Sequence, residues 1–242
     1  MAAAYERYRP GYPDELVGEV LEYAGRPVRT ALEIGAGTGK ATRAFARRRV
    51  AVTATDPDAA MLAELRRHVP DSVTTVQGAL EDLPLAGAYD LVFAAASLHW
   101  TSPDGRWPRV AGMLTAGGTF ASFGGQRELG DQDVRGRVEA VRRRYLDSDD
   151  VPSPDGTPAD SPMQWPGTEL AASPLFTDVR QRTIERRTTM PADDYVGHLS
   201  TVSAYLQLPE PVRGEALDAI RAVLPSRVEM LGDLTLHLAR RA

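Results

Sequence analysis

At 242 residues the chain has the length of one large domain, or of one domain carrying a smaller cap. Cysteine is absent, which removes disulfides, thiolate nucleophiles, Cys-ligated zinc and iron–sulfur clusters together, and the net charge of −5 argues against a general nucleic-acid binder. No stretch approaches the ~20 apolar residues of a helical membrane span.

Residues 1–10 carry Glu6 and no apolar run, so the sequence shows no signal peptide and reads as cytoplasmic. Residues 13–24 place Leu16, Val17, Val20 and Leu21 at helical spacing, with Pro13 suited to a first turn. Residues 28–34 are an apolar run ending in glycines. Residues 38–49 read as a helix and 50–55 as a strand. A second helix is expected over 57–67, with Asp56 as its N-cap. Residues 73–77 read as a short strand, and 89–96 as a central, buried one. A helix over 104–114, a turn at 116–118 and a strand over 119–123 complete this half. Repeated β–α–β with short connections implies an α/β fold with a parallel sheet covered on both faces.

The remainder is patterned differently. Residues 131–146 read as a charged helix. Residues 147–166 contain five prolines, with five aspartates before Ser161, and are expected to form a loop that cannot pack a core. Residues 176–188 read as a strand, and 192–208 and 212–224 as helices. Residues 228–238 alternate imperfectly and are expected to close the sheet. The division is then a lid region over 1–25, a core over 26–125, a cap over 126–175 and a completing segment over 176–242. Of the 28 basic residues only Lys40 is a lysine, a skew that points to a GC-rich coding sequence.

The strongest chemical signal is Leu32-Glu33-Ile34-Gly35-Ala36-Gly37-Thr38-Gly39-Lys40. A strand enters a glycine-rich turn and leaves as a helix, the arrangement of a nucleotide site at the carboxyl edge of a parallel sheet. The dinucleotide pattern G-x-G-x-x-G fails, because Lys40 stands three residues after Gly37. The phosphate-loop pattern fails as well. Glu33, just before the glycines, would repel a pyrophosphate and suits a cationic ligand. Asp56 ends the next strand, 17 residues after Gly39, where a carboxylate can accept both ribose hydroxyls. Such charge-assisted bonds contribute about 1.5–3 kcal/mol each. Glu81, after the third strand, falls on the same edge. One glycine turn and three acids describe a site for adenosine bearing a positive sulfur.

With these residues in place, the sequence resembles the class I S-adenosylmethionine (SAM)-dependent methyltransferases, and its tail, Leu199-Ser200-Thr201-Val202-Ser203 and residues 236–241, looks like the small-molecule subfamily related to trans-aconitate methyltransferases. Residues 33–39 match the family's E/D-x-G-x-G-x-G, and Asp56 its ribose-binding acid. The resemblance implies a doubly wound, mostly parallel seven-stranded sheet with a small cap and an N-terminal lid. It implies cofactor contacts from Tyr5, Arg9, Glu33, Gly35, Ala36, Gly37, Gly39, Asp56, Pro57, Met61, Ala79, Leu80, Glu81 and Ala95. Many members have an aspartate in place of Ala79, so the adenine amino contact must come here from Glu81, the backbone or water. Residues 5–13, Tyr-Glu-Arg-Tyr-Arg-Pro-Gly-Tyr-Pro, match the lid, which brings Tyr5 and Arg9 to the cofactor's carboxylate end and Tyr12 to the acceptor. Ser97-Leu98-His99-Trp100 matches the place where methyl group and acceptor meet. His99 is the candidate general base, and Trp100 a wall that excludes water.

The expected reaction is in-line methyl transfer to a small-molecule acceptor, with oxygen favoured over carbon and carbon over nitrogen. No nucleic acid, membrane or metal is expected as a partner, and a homodimer stays open. His68, His198 and His237 have no motif around them and read as structural or solvated. The arginine runs at 47–49, 142–144 and 186–187 read as solvated faces. Two other readings stay open: a non-catalytic protein that binds SAM or S-adenosylhomocysteine (SAH), and a SAM-fold enzyme catalysing a non-methylating cyclisation. A nicotinamide enzyme is a more distant one.

Overall fold

A computed structural model describes residues 1–85, 89–146, 153–158 and 160–242. Its centre is a seven-stranded sheet. The strands are β1 (Thr30–Ile34), β2 (Ala51–Asp56), β3 (Thr74–Gln77), β4 (Tyr89–Ala95) and β5 (Leu114–Gly124). Next come the two-residue β6 (Glu128–Leu129), then β7 (Phe176–Ile184), β8 (Arg187–Pro191), β9 (Arg227–Leu231) and β10 (Leu234–Arg241). The sheet order is β3-β2-β1-β4-β5-β10-β7, with β10 antiparallel to both neighbours and the other pairings parallel. A second sheet, β6-β9-β8, is small and antiparallel.

Alternation along the central strand explains its position. Leu91 and Phe93 of β4 point into one core, Val92 and Ala94 into the other. The first core is closed by α2 (Asp14–Ala24) and α3 (Lys40–Ala46), which bury Leu16, Val17, Val20 and Phe45. The rings of Phe45 and Phe93 lie 4.4 Å apart, centre to centre. α4 (Ala59–Arg66) buries Leu62 and Leu65 against Ala54. The second core is closed by α5 (Arg106–Met113) and α7 (Gly167–Ala172). A third cluster fills the small sheet's layer. It joins α6 (Gln132–Arg142), α8 (Ala192–Leu199), α9 (Ser203–Leu206) and α10 (Glu210–Val223) through Val134, Val138, Tyr205 and Ile220. The short helix α1 (Ala2–Tyr8) buries no residue of its own.

Residues 126–175 divide between layers: α6 packs in the third cluster, and α7 on the main sheet. Residues 147–152 and 159 of the proline-rich stretch lie outside the described residues. Its last residues do pack: Trp165 sits partly buried on the second core, and Gln164 N donates to Gln181 on β7 at 2.7 Å. His237 shares that acceptor at 2.9 Å, and burial pushes its pKa down to about 4, so it is a neutral structural group.

Five local expectations need correction. Asp58, not Asp56, caps α4, accepting from Ala60 N at 2.7 Å. Helix α3 begins at Lys40 rather than residue 38, because Gly35, Gly37 and Gly39 hold the left-handed region (φ 66°, 55° and 82°). The turn at 116–118 lies inside β5 as a register break, with Gly117 at φ 65°. The helix expected over 192–208 is interrupted at 200–202. Residues 176–188 and 228–238 each form two strands, not one. The ladder they share, β7 with β10 and β8 with β9, bends from the main sheet into the small one. At the bend Arg186 N donates to Asp233 Oδ1 at 2.9 Å, and Gly232 N to Arg186 O at 2.9 Å. Gly125 passes the same corner, where a Cβ would stand 1.9 Å from Asp233 O.

Candidate active site

The chain runs β1-β2-β3 to one side of the sheet and β4-β5 to the other, which leaves a crevice at the carboxyl ends of β1 and β4. Glu33, near the end of β1, is fully buried. Thr42 Oγ1 of α3 donates to its Oε2 at 2.5 Å, while Oε1 has no protein partner. Burial pushes the Glu33 pKa up to about 8, and the Asp56 carboxylate adds to it. The Thr42 hydrogen bond and the Arg43 charge pull the other way.

The glycine loop is tied at both ends. Ser97 Oγ donates to Ile34 O at 2.5 Å. Gly37 N donates to Asp56 Oδ2 and Asp58 N to Asp56 Oδ1, each at 2.8 Å. Asp56 thus bolts the loop to the end of β2 while facing the crevice. Glu81 is held from the far side by Ser102 N, at 2.5 Å. A Cβ at Gly35 would meet Ser97 Cβ at 2.6 Å, whereas one at Gly37 meets nothing within 4 Å. Gly35→Ala is therefore expected to destabilise the fold by about 1–3 kcal/mol in a denaturant titration, more than Gly37→Ala. Equal losses would place the strain in φ alone.

The N-terminal segment straps over this crevice. Glu6 pairs with Arg43 at 2.8 Å and with Lys40 at 3.5 Å. Arg9 donates to Oγ1 and to the carbonyl of Thr201, both at 2.9 Å, and its guanidinium lies 5.2 Å from the centre of the Tyr5 ring. Tyr12 packs edge-on against Phe123 at 5.0 Å. A short 3₁₀ turn after β4, Leu98–Trp100, carries His99 and Trp100 with ring centres 5.0 Å apart. Burial holds the His99 pKa below the usual imidazole value. The expectation that Trp100 excludes water needs correction: its side chain lines the crevice but is 73% exposed to solvent.

These elements enclose a cavity of about 870 Å³. It brings together Tyr5, Arg9, Tyr12, Glu33, Gly35, Ala36, Gly37, Asp56, Pro57, Met61, Ala79, Leu80, Glu81, Ala95, His99 and Trp100. Gly39 is the exception. It faces Leu65, where a Cβ would stand 2.6 Å from Cγ, so the turn itself requires the glycine. Sequence reasoning missed the opposite wall, which includes Arg127, Arg186, Tyr195, His198 and Tyr205. The expectation for two of the arginine runs needs correction, since Arg142 and Arg186 line the cavity rather than a solvated face, and His198 joins them there; the wall is drawn from single residues spread over nearly 80 positions. Among the described residues no group of three or more His, Cys, Asp or Glu side chains could hold a metal ion. None of their helices is long and apolar enough to cross a membrane.

A Rossmann-like sheet with an acid-lined glycine loop at its switch point defines a nucleotide-binding α/β protein, and comparison with known proteins narrows this. A methyltransferase-domain family model matches residues 31–118. An uncharacterized methyltransferase of Mycobacterium tuberculosis is 31% identical over 222 residues, 91% of this chain and 82% of the relative. A trans-aconitate 2-methyltransferase of Delftia acidovorans is 35% identical over 123 residues, 49% of this chain and 44% of that protein. The structure of a candidate type II methyltransferase from Anaeromyxobacter dehalogenans superposes with a TM-score of 0.64 at 24% identity, covering 96% of this chain and 98% of that one. The chain belongs to the class I SAM-dependent methyltransferases.

Proposed function

We propose that the cavity holds SAM along the glycine loop and passes its methyl group to a small-molecule acceptor at His99. The observation that carries this reading is the composition of one cavity. Glu33, Gly37 and Asp56 lie on one wall, and His99 with Trp100 after the neighbouring strand. The residues fit the cofactor's charge. Glu33 offers a buried oxygen with no protein partner, and Gly37 leaves open space where a side chain would stand. A cationic ligand group beside Glu33 would satisfy that oxygen. Asp56 would accept the ribose hydroxyls, Glu81 and the backbone at Ala79 and Leu80 would border the adenine, and Arg9 with Tyr5 would take the carboxylate.

When bound, the sulfonium supplies an activated methyl group. The protein's task is alignment of the acceptor with the C–S bond, which can contribute up to ~7–11 kcal/mol in the best cases. His99, held neutral at physiological pH by its burial, is ready to accept a proton from a hydroxyl, carbon or amine acceptor. Oxygen ranks first among acceptor atoms, then carbon, then nitrogen.

The test is calorimetric titration with SAH and with NADH, followed by a screen of small molecules for SAH release. SAH binding without NADH binding, and turnover of SAM, are expected. His99→Ala should leave SAH affinity within about twofold and lower kcat by about 10²–10⁴. Binding of SAH with no acceptor ever turned over would favour a sensor. Substrate conversion without SAH would favour cyclisation.

A further inference from the structure

The cavity is electrically two-sided. Its acids, Glu33, Asp56, Asp58 and Glu81, belong to the strand ends β1 to β3. Facing them, beyond the end of β5 and at the corner into β8, stand Arg127 and Arg186, with His198 of α8. Among the described residues neither arginine pairs with a carboxylate. Arg186 Nη1 donates to Gly11 O at 3.0 Å, and Arg127 Nη2 reaches Thr188 Oγ1 only at 3.4 Å. Arg127 Nη1 is buried and without a protein partner, and so is His198 Nδ1. Burial lowers the Arg127 pKa, and the charges of Arg186 and Arg9 lower it further, so these cations crowd one another. His198 responds in the same way: burial first, then Arg9 and Arg127, push its pKa down to about 3, which leaves it neutral. Both guanidiniums are partly buried, and the Arg127 Nη1 that lacks a partner is costly to leave so beside a second positive charge in the empty protein. An anion between them would offset that cost.

The placement ties this wall to the acceptor rather than the cofactor. Arg127 follows Gly124 and Gly125 at the end of β5, beside the strand whose end carries His99. Ala96 N donates to Phe123 O at 2.8 Å, and a Cβ on Gly124 would touch Ala96 at 3.3 Å. Arg9, anchored on Thr201, is left for the cofactor's carboxylate. We propose that Arg127 and Arg186, with the neutral His198 beside them, bind an anionic group of the methyl acceptor, so that the substrates of this enzyme carry a carboxylate or a phosphate. The Arg127 fork suits either, through two parallel N–H···O bonds. This assignment rests on the methyltransferase reading for its role, and on charge alone for its ligand.

The experiment titrates matched pairs into the protein, with and without saturating SAH: benzoate and benzamide, succinate and succinamide, glycerol 3-phosphate and glycerol. Putrescine serves as the cationic control. At least one anion is expected to bind ten times more tightly than its neutral partner and than putrescine, and the pair that does so tells carboxylate from phosphate. Arg127→Gln should weaken that anion tenfold or more while SAH affinity stays within twofold. Arg186→Gln, read the same way, covers the case in which Arg127→Gln does not fold. Equal binding of charged and neutral partners would overturn the proposal, and so would an unaffected anion in the folded variants. Weakened SAH in Arg127→Gln would also overturn it, since the arginine would then serve the cofactor. Failure of the parent protein to bind SAH would strike the methyltransferase reading instead, and the titrations without SAH would still decide the anion wall.

Discussion

At pH 8 the Glu33→Gln protein is expected to resist denaturant better than its parent, and near pH 4.5 the two should unfold together. Glu33 is fully buried, and burial first, then Asp56, lifts its pKa from 4.5 to about 8 against the pull of Thr42 and Arg43. A carboxyl whose pKa is raised by folding favours the native state while protonated. That contribution is complete below the unfolded value and is lost as pH rises through the folded one, so the parent weakens between about pH 4.5 and 8. The whole shift corresponds to a few kcal/mol, on the order of 1.4 per unit. Glutamine keeps an oxygen for Thr42 and has no charge to bury. The same variant should lose SAH affinity, because the ligand's ammonium would no longer meet an anion. At pH 7 the parent should release up to one proton per SAH bound, seen as a dependence of binding heat on buffer. Parallel unfolding of parent and variant at pH 5 and pH 8 would show that Glu33 titrates normally.

Asp56→Ala carries the second large expectation: SAH affinity should fall at least tenfold, about 1.4 kcal/mol. Two effects combine. The ribose acceptor is removed, and Gly37 N and Asp58 N both lose the partner they hold at 2.8 Å. Leaving two main-chain donors without a partner should also lower stability by about 1–3 kcal/mol. Asp56→Asn separates the effects, since one acceptor oxygen survives to hold part of the loop while the charge is gone. It should recover most of the stability and little of the affinity. Unchanged SAH binding in folded Asp56→Ala would remove the ribose from this position.

What the sequence revealed of the site was what lies close together along the chain. Glu33, the glycines and Asp56 fall within 24 consecutive positions, and a parallel sheet puts successive strand ends on one edge. Strand β4 was legible because its run is apolar on both faces. Two aspartates compete for the cap of α4, and the pattern alone does not show that Gly37 N and Asp58 N occupy the first and leave the cap to Asp58. The split of residues 176–188 was illegible for a different reason. Its corner is fixed by Asp233 and Gly232, nearly fifty positions away, and no local pattern registers such a partner. Arg127, Arg186 and His198 share that origin. Each is ordinary in its own segment and becomes part of a site only when the bent ladder and α8 are folded onto the crevice.

Strand β10 has a bearing on how the molecule is made. It lies between β5 and β7, both of which leave the ribosome before it. Until residues 234–241 emerge, β5 and β7 have no common neighbour, and each exposes an unpaired edge. The half of the sheet holding the glycine loop can assemble during translation, since β1 to β5 are contiguous in the chain. The other half must wait for a strand to slide into a gap between two already synthesised ones. The nascent chain therefore passes through a state with an open β-slot, the kind of surface that chaperones cover and that foreign strands invade.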